Sequence, residues 1–170
     1  MKTLAIKKEK GFSLIEMIVY ISILAFMLII VTEVIYSINS SQRVMRAVRD
    51  IESSALISLD RIGREVRGAT SINVASSTLG TNPGVLVLNS TDGSGAARVV
   101  RFYLSSGRVR MSENGVDAGA LTESSATTTS LIFRRFATST AEGIRIGVAL
   151  ESGTSTYYRT ENFYSSLLIR

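Results

Sequence analysis

The sequence predicts an α+β fold, with one long amino-terminal helix followed by an antiparallel β-sheet region. Three patterns carry this. An unbroken apolar block runs from Phe12 to Val31. Apolar residues then recur in steps of three and four as far as Val66, the spacing of one helix face. From Ser71 onward the spacing changes to alternation, punctuated by Gly, Asn and Asp.

The apolar block, FSLIEMIVYISILAFMLIIV, contains one charge, Glu16, and neither Pro nor Gly. As a helix it is about 30 Å long, the thickness of a bilayer core. A buried helix of a soluble protein is the competing reading, but such helices seldom stay apolar on every face for this distance. The segment before the block is basic, with Lys2, Lys7, Lys8 and Lys10 against Glu9. Positive charge on that side predicts a cytoplasmic amino terminus and an exported carboxyl-terminal part. In an ordinary secretory signal the apolar region precedes the cut. Here a cut of that kind would need a site near Ser37 or Ser40, where no A-x-A-like pattern stands.

The run KGFSLIEMIVYISIL, Lys10 to Leu24, resembles the type IV prepilin signature: Lys-Gly, an aromatic, a small hydroxyl residue, two aliphatics, Glu and a long apolar stretch. The resemblance implies cleavage after Gly11 by a membrane aspartyl peptidase, which also N-methylates the new terminus, Phe12. It implies a removed leader, residues 1–11, and a membrane or filament-core helix over 12–31. An amphipathic continuation, 32–68, and an exported β-rich head, 69–170, follow. Glu16 is then the fifth mature residue. A lone carboxylate in a membrane helix is costly and is normally kept for a partner. The amino terminus of a neighbouring subunit, Phe12, would lie at nearly the same depth and would set the stagger between helices. Snorkelling of Glu16 to the headgroups is the plainer alternative, and Ser13 and Ser22 can bond their own helix backbone.

The helix is expected from about Phe12 to about Arg67, roughly 84 Å. Its apolar stripe is Met45, Val48, Ile51, Ala55, Leu59, Ile62 and Val66. The opposite face carries Arg46, Asp50, Asp60, Arg61, Arg64, Glu65 and Arg67, with Arg46–Asp50, Asp60–Arg64 and Arg61–Glu65 spaced for ion pairs. Gly68 is expected as the C-cap. Many pilins have a helix-breaking Pro near the twenty-second mature position, where this chain has Glu33.

Five or six antiparallel strands are expected in the head. They are Gly84–Asn89, Arg98–Leu104, Arg108–Met111, Ser130–Phe136, a strand containing Ile144, Ile146, Val148 and Leu150, and Asn162–Arg170. Turns fall at Asp92–Gly95, at Ser105-Ser106-Gly107 as a three-residue hairpin loop, and at Asn114-Gly115. Ser/Thr-rich stretches at 75–82, 122–130 and 152–156 read as loops. Leu121-Thr122, Ser130-Leu131-Ile132-Phe133 and the closing Ile169-Arg170 resemble the head of J-type minor pseudopilins of type II secretion, and of W-type minor pilins.

Composition narrows the chemistry. The 170 residues contain no Cys, His or Trp, so thiol catalysis, His acid–base work, His or Cys metal sites and disulfides are excluded. No Lys follows Lys10, which removes a Ser–Lys dyad from the head. The head acids Asp92, Glu113, Asp117, Glu123, Glu142, Glu151 and Glu161 stand mostly in or beside turns. A carboxylate pair meeting in space stays open. No calcium loop or phosphate cradle is present; Gly93-Ser94-Gly95 is a turn. Removing the leader takes the formal charge from +5 to +2, which weakens any argument for nucleic acid.

The expectation is therefore a non-enzymatic filament subunit without cofactor or metal: a minor pilin or pseudopilin, stored as a single-pass inner-membrane protein and then exported into a pilus or pseudopilus. Its implied partners are the prepilin peptidase and N-methyltransferase, other pilins or pseudopilins, an assembly platform protein and the membrane. A tip-located adhesion or DNA-capture module and a major pilin are the alternatives.

Overall fold

The computed structural model describes residues 11–137, 141–153 and 157–169. The expected leader residues 1–10, positions 154–156 of the last loop and Arg170 lie outside them. The chain divides into two compact units between Ser41 and Gln42, each taken by itself below.

In the first unit the described chain enters helix α1 (Leu14–Gly68) at its beginning. From Gly11 to Asn39 every residue is exposed except Glu16, which is half-buried. The most apolar stretch has a mean hydropathy of 2.8 with nothing buried, so this helix is long and apolar enough to cross a membrane. Burial in its own chain, the competing reading of the block, does not occur among these residues.

The second unit packs the rest of α1 on two antiparallel sheets. The first sheet holds β1 (Ala69–Ile72), β2 (Leu86–Thr91), β3 (Ala97–Ser105), β4 (Arg108–Glu113) and β5 (Val116–Ala120). The second holds β6 (Ala126–Ala137), β7 (Glu142–Ser152) and β8 (Arg159–Leu168). In both sheets strand order follows chain order. The core joins Ile51, Ala55, Ile62 and Val66 of α1 to Leu86, Leu88, Val100, Phe102 and Val109 of the first sheet. Leu131, Phe133, Ile144, Ile146, Val148 and Leu150 of the second sheet complete it. Phe102 and Phe133 are the largest fully buried side chains.

Sequence alternation set these faces correctly. Two hairpin turns explain the register. Ser106 and Gly107 have φ of 51° and 69°, and Asn114 and Gly115 have 51° and 84°. Positive φ at both central residues is the type I′ turn, whose twist matches that of paired strands. Ser105 pairs with Arg108, so the first hairpin has a two-residue loop rather than three. The edge of β6 is covered by the 79–84 loop. Gly80 N–H donates to the Phe133 carbonyl and Gly84 N–H to that of Leu131, both at 2.7 Å, while Asn82 Oδ1 accepts from Leu131 N–H at 3.0 Å.

Several expectations are corrected. The head has eight strands among the described residues, not five or six: β1 and β5 are short and carry too few apolar residues to show alternation. β6 begins at Ala126, inside the expected 122–130 loop, with a register shift between Thr128 and Ser130 that broke its period. β8 begins at Arg159, ahead of Asn162. Gly68 ends α1 as expected but without a positive φ; β1 follows at once, and the Gly68 carbonyl accepts from Ser90 Oγ at 3.1 Å. Met45 is exposed and Ala47 takes its inward place. Glu65 is buried rather than solvated. The Asp60–Arg64 and Arg61–Glu65 pairs form, whereas Arg46–Asp50 is not among the ion pairs of the described residues.

Phe133→Ala should destabilise the head by about 3–5 kcal/mol, as removal of a buried aromatic does. Leu56→Ala, on the exposed side of α1, should stay within about 0.5 kcal/mol. Urea denaturation of the two variants compares them; equal loss in both would contradict the assigned helix face.

Candidate functional site

The site is the amino-terminal turn of α1. Ser13 stands just outside the helix, and its carbonyl accepts the first helical bond, from Met17 N–H at 3.2 Å. Glu16 therefore lies in the first turn, where unpaired backbone N–H groups favour a negative charge. That placement lowers the cost of a carboxylate in an otherwise apolar helix.

Its side chain has a partner that sequence reading did not assign. Tyr20, one turn on, donates its hydroxyl to Glu16 Oε1 at 3.0 Å. Side chains on a helix lean toward its amino terminus, so an i+4 tyrosine reaches back over the carboxylate. The Tyr20 ring also meets Phe12 edge-on, with centroids 6.3 Å apart and planes at 73°. Phe12, Glu16 and Tyr20 thus share one side of the helix start, and Tyr20 covers the one residue of this stretch that is not exposed. The i,i+4 spacing from Glu16 was the available signal. Ser22 Oγ donates to the Ile18 carbonyl and Thr32 Oγ1 to that of Leu28, so these polar groups are satisfied within the helix. Gly11 lies just before the helix, fully exposed, with no atoms near its Cα that would crowd a side chain.

Asp92, Glu113, Asp117, Glu142 and Glu151 of the head acids are engaged in structural contacts. Glu65, from α1, accepts two bonds from the Arg98 guanidinium, at 3.0 and 3.1 Å, and pairs with Arg61 at 2.9 Å. Arg98 also holds Glu113. Two carboxylates do meet in space, but on one shared guanidinium that ties helix to sheet. Hydrogen bonding to Glu113 first, and then to Glu65, holds the Arg98 pKa above its ordinary value against partial burial. Arg110 bonds Asp117, Arg135 bonds Glu142, and Tyr158 donates to Glu151. Asp92 Oδ1 closes its turn by accepting from Ser94 Oγ, Ser94 N–H and Ala96 N–H. Among the described residues no group of three acidic, His or Cys side chains could hold a metal ion.

The tail segments have structural work. Leu121 N–H bonds the Val109 carbonyl at 2.7 Å, and Thr122 Oγ1 accepts from Val109 N–H at 3.2 Å. Glu123 N–H reaches Ser54 Oγ of the helix at 3.2 Å. Leu131 and Phe133 fill the core.

A long amino-terminal helix, uncovered in its first part and packed farther on against antiparallel sheets, defines an α+β protein of pilin-like architecture. The prokaryotic N-terminal methylation motif matches residues 6–32, which marks the chain as a type IV pilin- or pseudopilin-like prepilin. Such a motif implies processing by prepilin peptidase and assembly with other pilins. No curated protein and no solved structure matches the chain.

Two outcomes follow from the head's charge pairs. Arg98→Ala leaves Glu65 buried with one partner and should cost about 2 kcal/mol in chemical denaturation; an unchanged midpoint would remove the pair from the account of helix docking. Asp117 has its pKa lowered, chiefly by the Arg110 hydrogen bond, and Asp92 by that of Ser94. The unfolded chain therefore takes up these protons first as pH falls. Head stability should be fully present above about pH 4 and decline as pH drops through the lowered values. Asp117→Asn should flatten that decline in thermal melts; an identical acid limb in the variant would contradict it.

Proposed function

We propose that the chain is a minor pilin or pseudopilin, a non-enzymatic structural subunit of a type IV pilus or type II secretion-like filament. The observation that carries this reading is the methylation motif at residues 6–32 leading into a helix with no cover from Gly11 to Asn39 except over Glu16. In this reading the leader, 1–11, is cut between Gly11 and Phe12, and Phe12 is N-methylated. The 12–31 helix holds the subunit in the inner membrane, with its amino terminus inside and the 69–170 head outside. The 32–68 stretch carries the helix on into the head. The assembly platform then moves the subunit into a filament. The minor role rests on the likeness of the Leu121-Thr122 and Ser130–Phe133 segments to J-type and W-type heads.

Within the filament, Glu16 pairs with the amino terminus of a neighbour's Phe12. Tyr20 occupies Oε1 and holds the carboxylate against the helix, so Oε2 is left to receive the incoming amine. In lipid, before assembly, the tyrosine hydroxyl supplies the hydrogen bond that water cannot.

Intact mass of the protein recovered from membranes tests the processing. A chain beginning at N-methyl-Phe12 is expected, and a chain retaining residues 1–11 would overturn the reading. Glu16→Val should leave cleavage intact while lowering incorporation into sheared filaments by about tenfold or more, the weight of one charge-assisted hydrogen bond. Incorporation equal to that of the parent would remove the pairing role.

A further inference from the structure

The outer face of the β6–β7–β8 sheet contains an arrangement that folding does not favour. Arg134 of β6 lies directly opposite Arg145 of β7, and like charges in that relation repel. Both are exposed, and neither forms an ion pair among the described residues. Arg135, next along the chain, is bound to Glu142 and takes no part.

The register shows what surrounds the pair. Arg145 is opposite Ser166 on β8, and its Nε donates to Ser166 Oγ at 3.4 Å. In the next row Ile132, Gly147 and Tyr164 lie side by side. Beyond them stand Ser130, Ala149 and Asn162, and on the other side Phe136, Gly143 and Leu168. No carboxylate occupies these rows. Farther along β7, Glu151 is held by Tyr158.

The five residues Ile132, Arg134, Arg145, Gly147 and Tyr164 line a cavity of about 240 Å³. Gly147 forms its floor beside the Tyr164 ring, where even a Cβ would find only ordinary contact at 3.4 Å. Tyr164 is 75% exposed and stands as one wall. The Arg134 and Arg145 side chains, neither in an ion pair among the described residues, line it as well. Guanidinium forks match the oxygens of a phosphate, and an exposed tyrosine offers a flat apolar face.

We propose that this cleft binds a phosphate ester carried beside a planar ring, with Arg134 and Arg145 on the phosphate and Tyr164 against the ring. Binding neutralises the opposed arginines, which gives the ligand a source of affinity that the folded protein alone leaves unused. The site is separate from the Phe12–Glu16 turn and does not depend on the filament reading.

Phenyl phosphate and inorganic phosphate are the probes, titrated into the full chain in detergent micelles and followed by the backbone N–H signal of Gly147 and the Nε–H signal of Arg145. Phenyl phosphate should give saturable shifts, with inorganic phosphate several-fold weaker. Arg134→Gln and Arg145→Gln should each weaken phenyl phosphate about tenfold or more. Tyr164→Ala should bring phenyl phosphate down to the level of inorganic phosphate. The arginine variants should melt no lower than the parent, because each relieves a repulsion; a lower melting temperature would make the pair structural and overturn the proposal. Absence of saturable shifts at millimolar phenyl phosphate, or a double variant that binds like the parent, would overturn it as well.

Discussion

A helix that presents apolar side chains on all sides and covers none of them with its own chain must be covered from outside. From Leu14 to Ile38 α1 exposes Leu, Ile, Val, Phe and Met on every face. Lipid can supply the cover, and so can other helices of the same kind. The same surface serves both environments because neither asks for a directed contact. Direction comes from polar groups: Ser22 and Thr32 bond back to the helix, while Glu16 and Tyr20 pair at its start. In the proposed reading, that turn, with Phe12, Glu16 and Tyr20, gives an assembly of such helices its register.

The head answers a different demand. It has no cysteine to staple it and must hold by packing and hydrogen bonds. Ile51, Ala55, Ile62 and Val66 put one stripe of α1 into a core built on Phe102 and Phe133. At the margin of that stripe, Glu65 and Arg98 close the contact between helix and sheet with two hydrogen bonds. A small domain without covalent ties benefits from such a directed contact, since packing alone tolerates slippage more readily than a paired guanidinium does.

Much of this was legible in the residues. The apolar block, the following stripe and the alternation of Ile144, Ile146, Val148 and Leu150 gave the α+β class, because burial writes its period into the sequence. Asn114-Gly115 announced a hairpin for the same kind of local reason. Other features depend on neighbours remote in sequence. The register shift between Thr128 and Ser130 broke the alternation that would have extended β6 back to Ala126. Glu65 looked solvated because its partner, Arg98, is 33 residues away. The opposed arginines at 134 and 145 come together only through strand register. At the candidate site, Gly11, Phe12 and Glu16 were read from the motif, whereas Tyr20 shows its role only when its hydroxyl is seen to reach the carboxylate.

The strand order in both sheets follows the order of synthesis, β1 to β5 and then β6 to β8. No strand waits for a later one to be inserted between it and its neighbour, so pairing can keep pace with the chain as it emerges. Two tight turns fix registers early, and apart from the 73–85 connection between β1 and β2 the loops to close within each sheet are short. In the proposed reading, with the first helix anchored while the head is exported, this order lets the sheets grow from the anchored end outward. Fewer unpaired edges then stand open to neighbouring copies during the interval when a crowded surface is most hazardous.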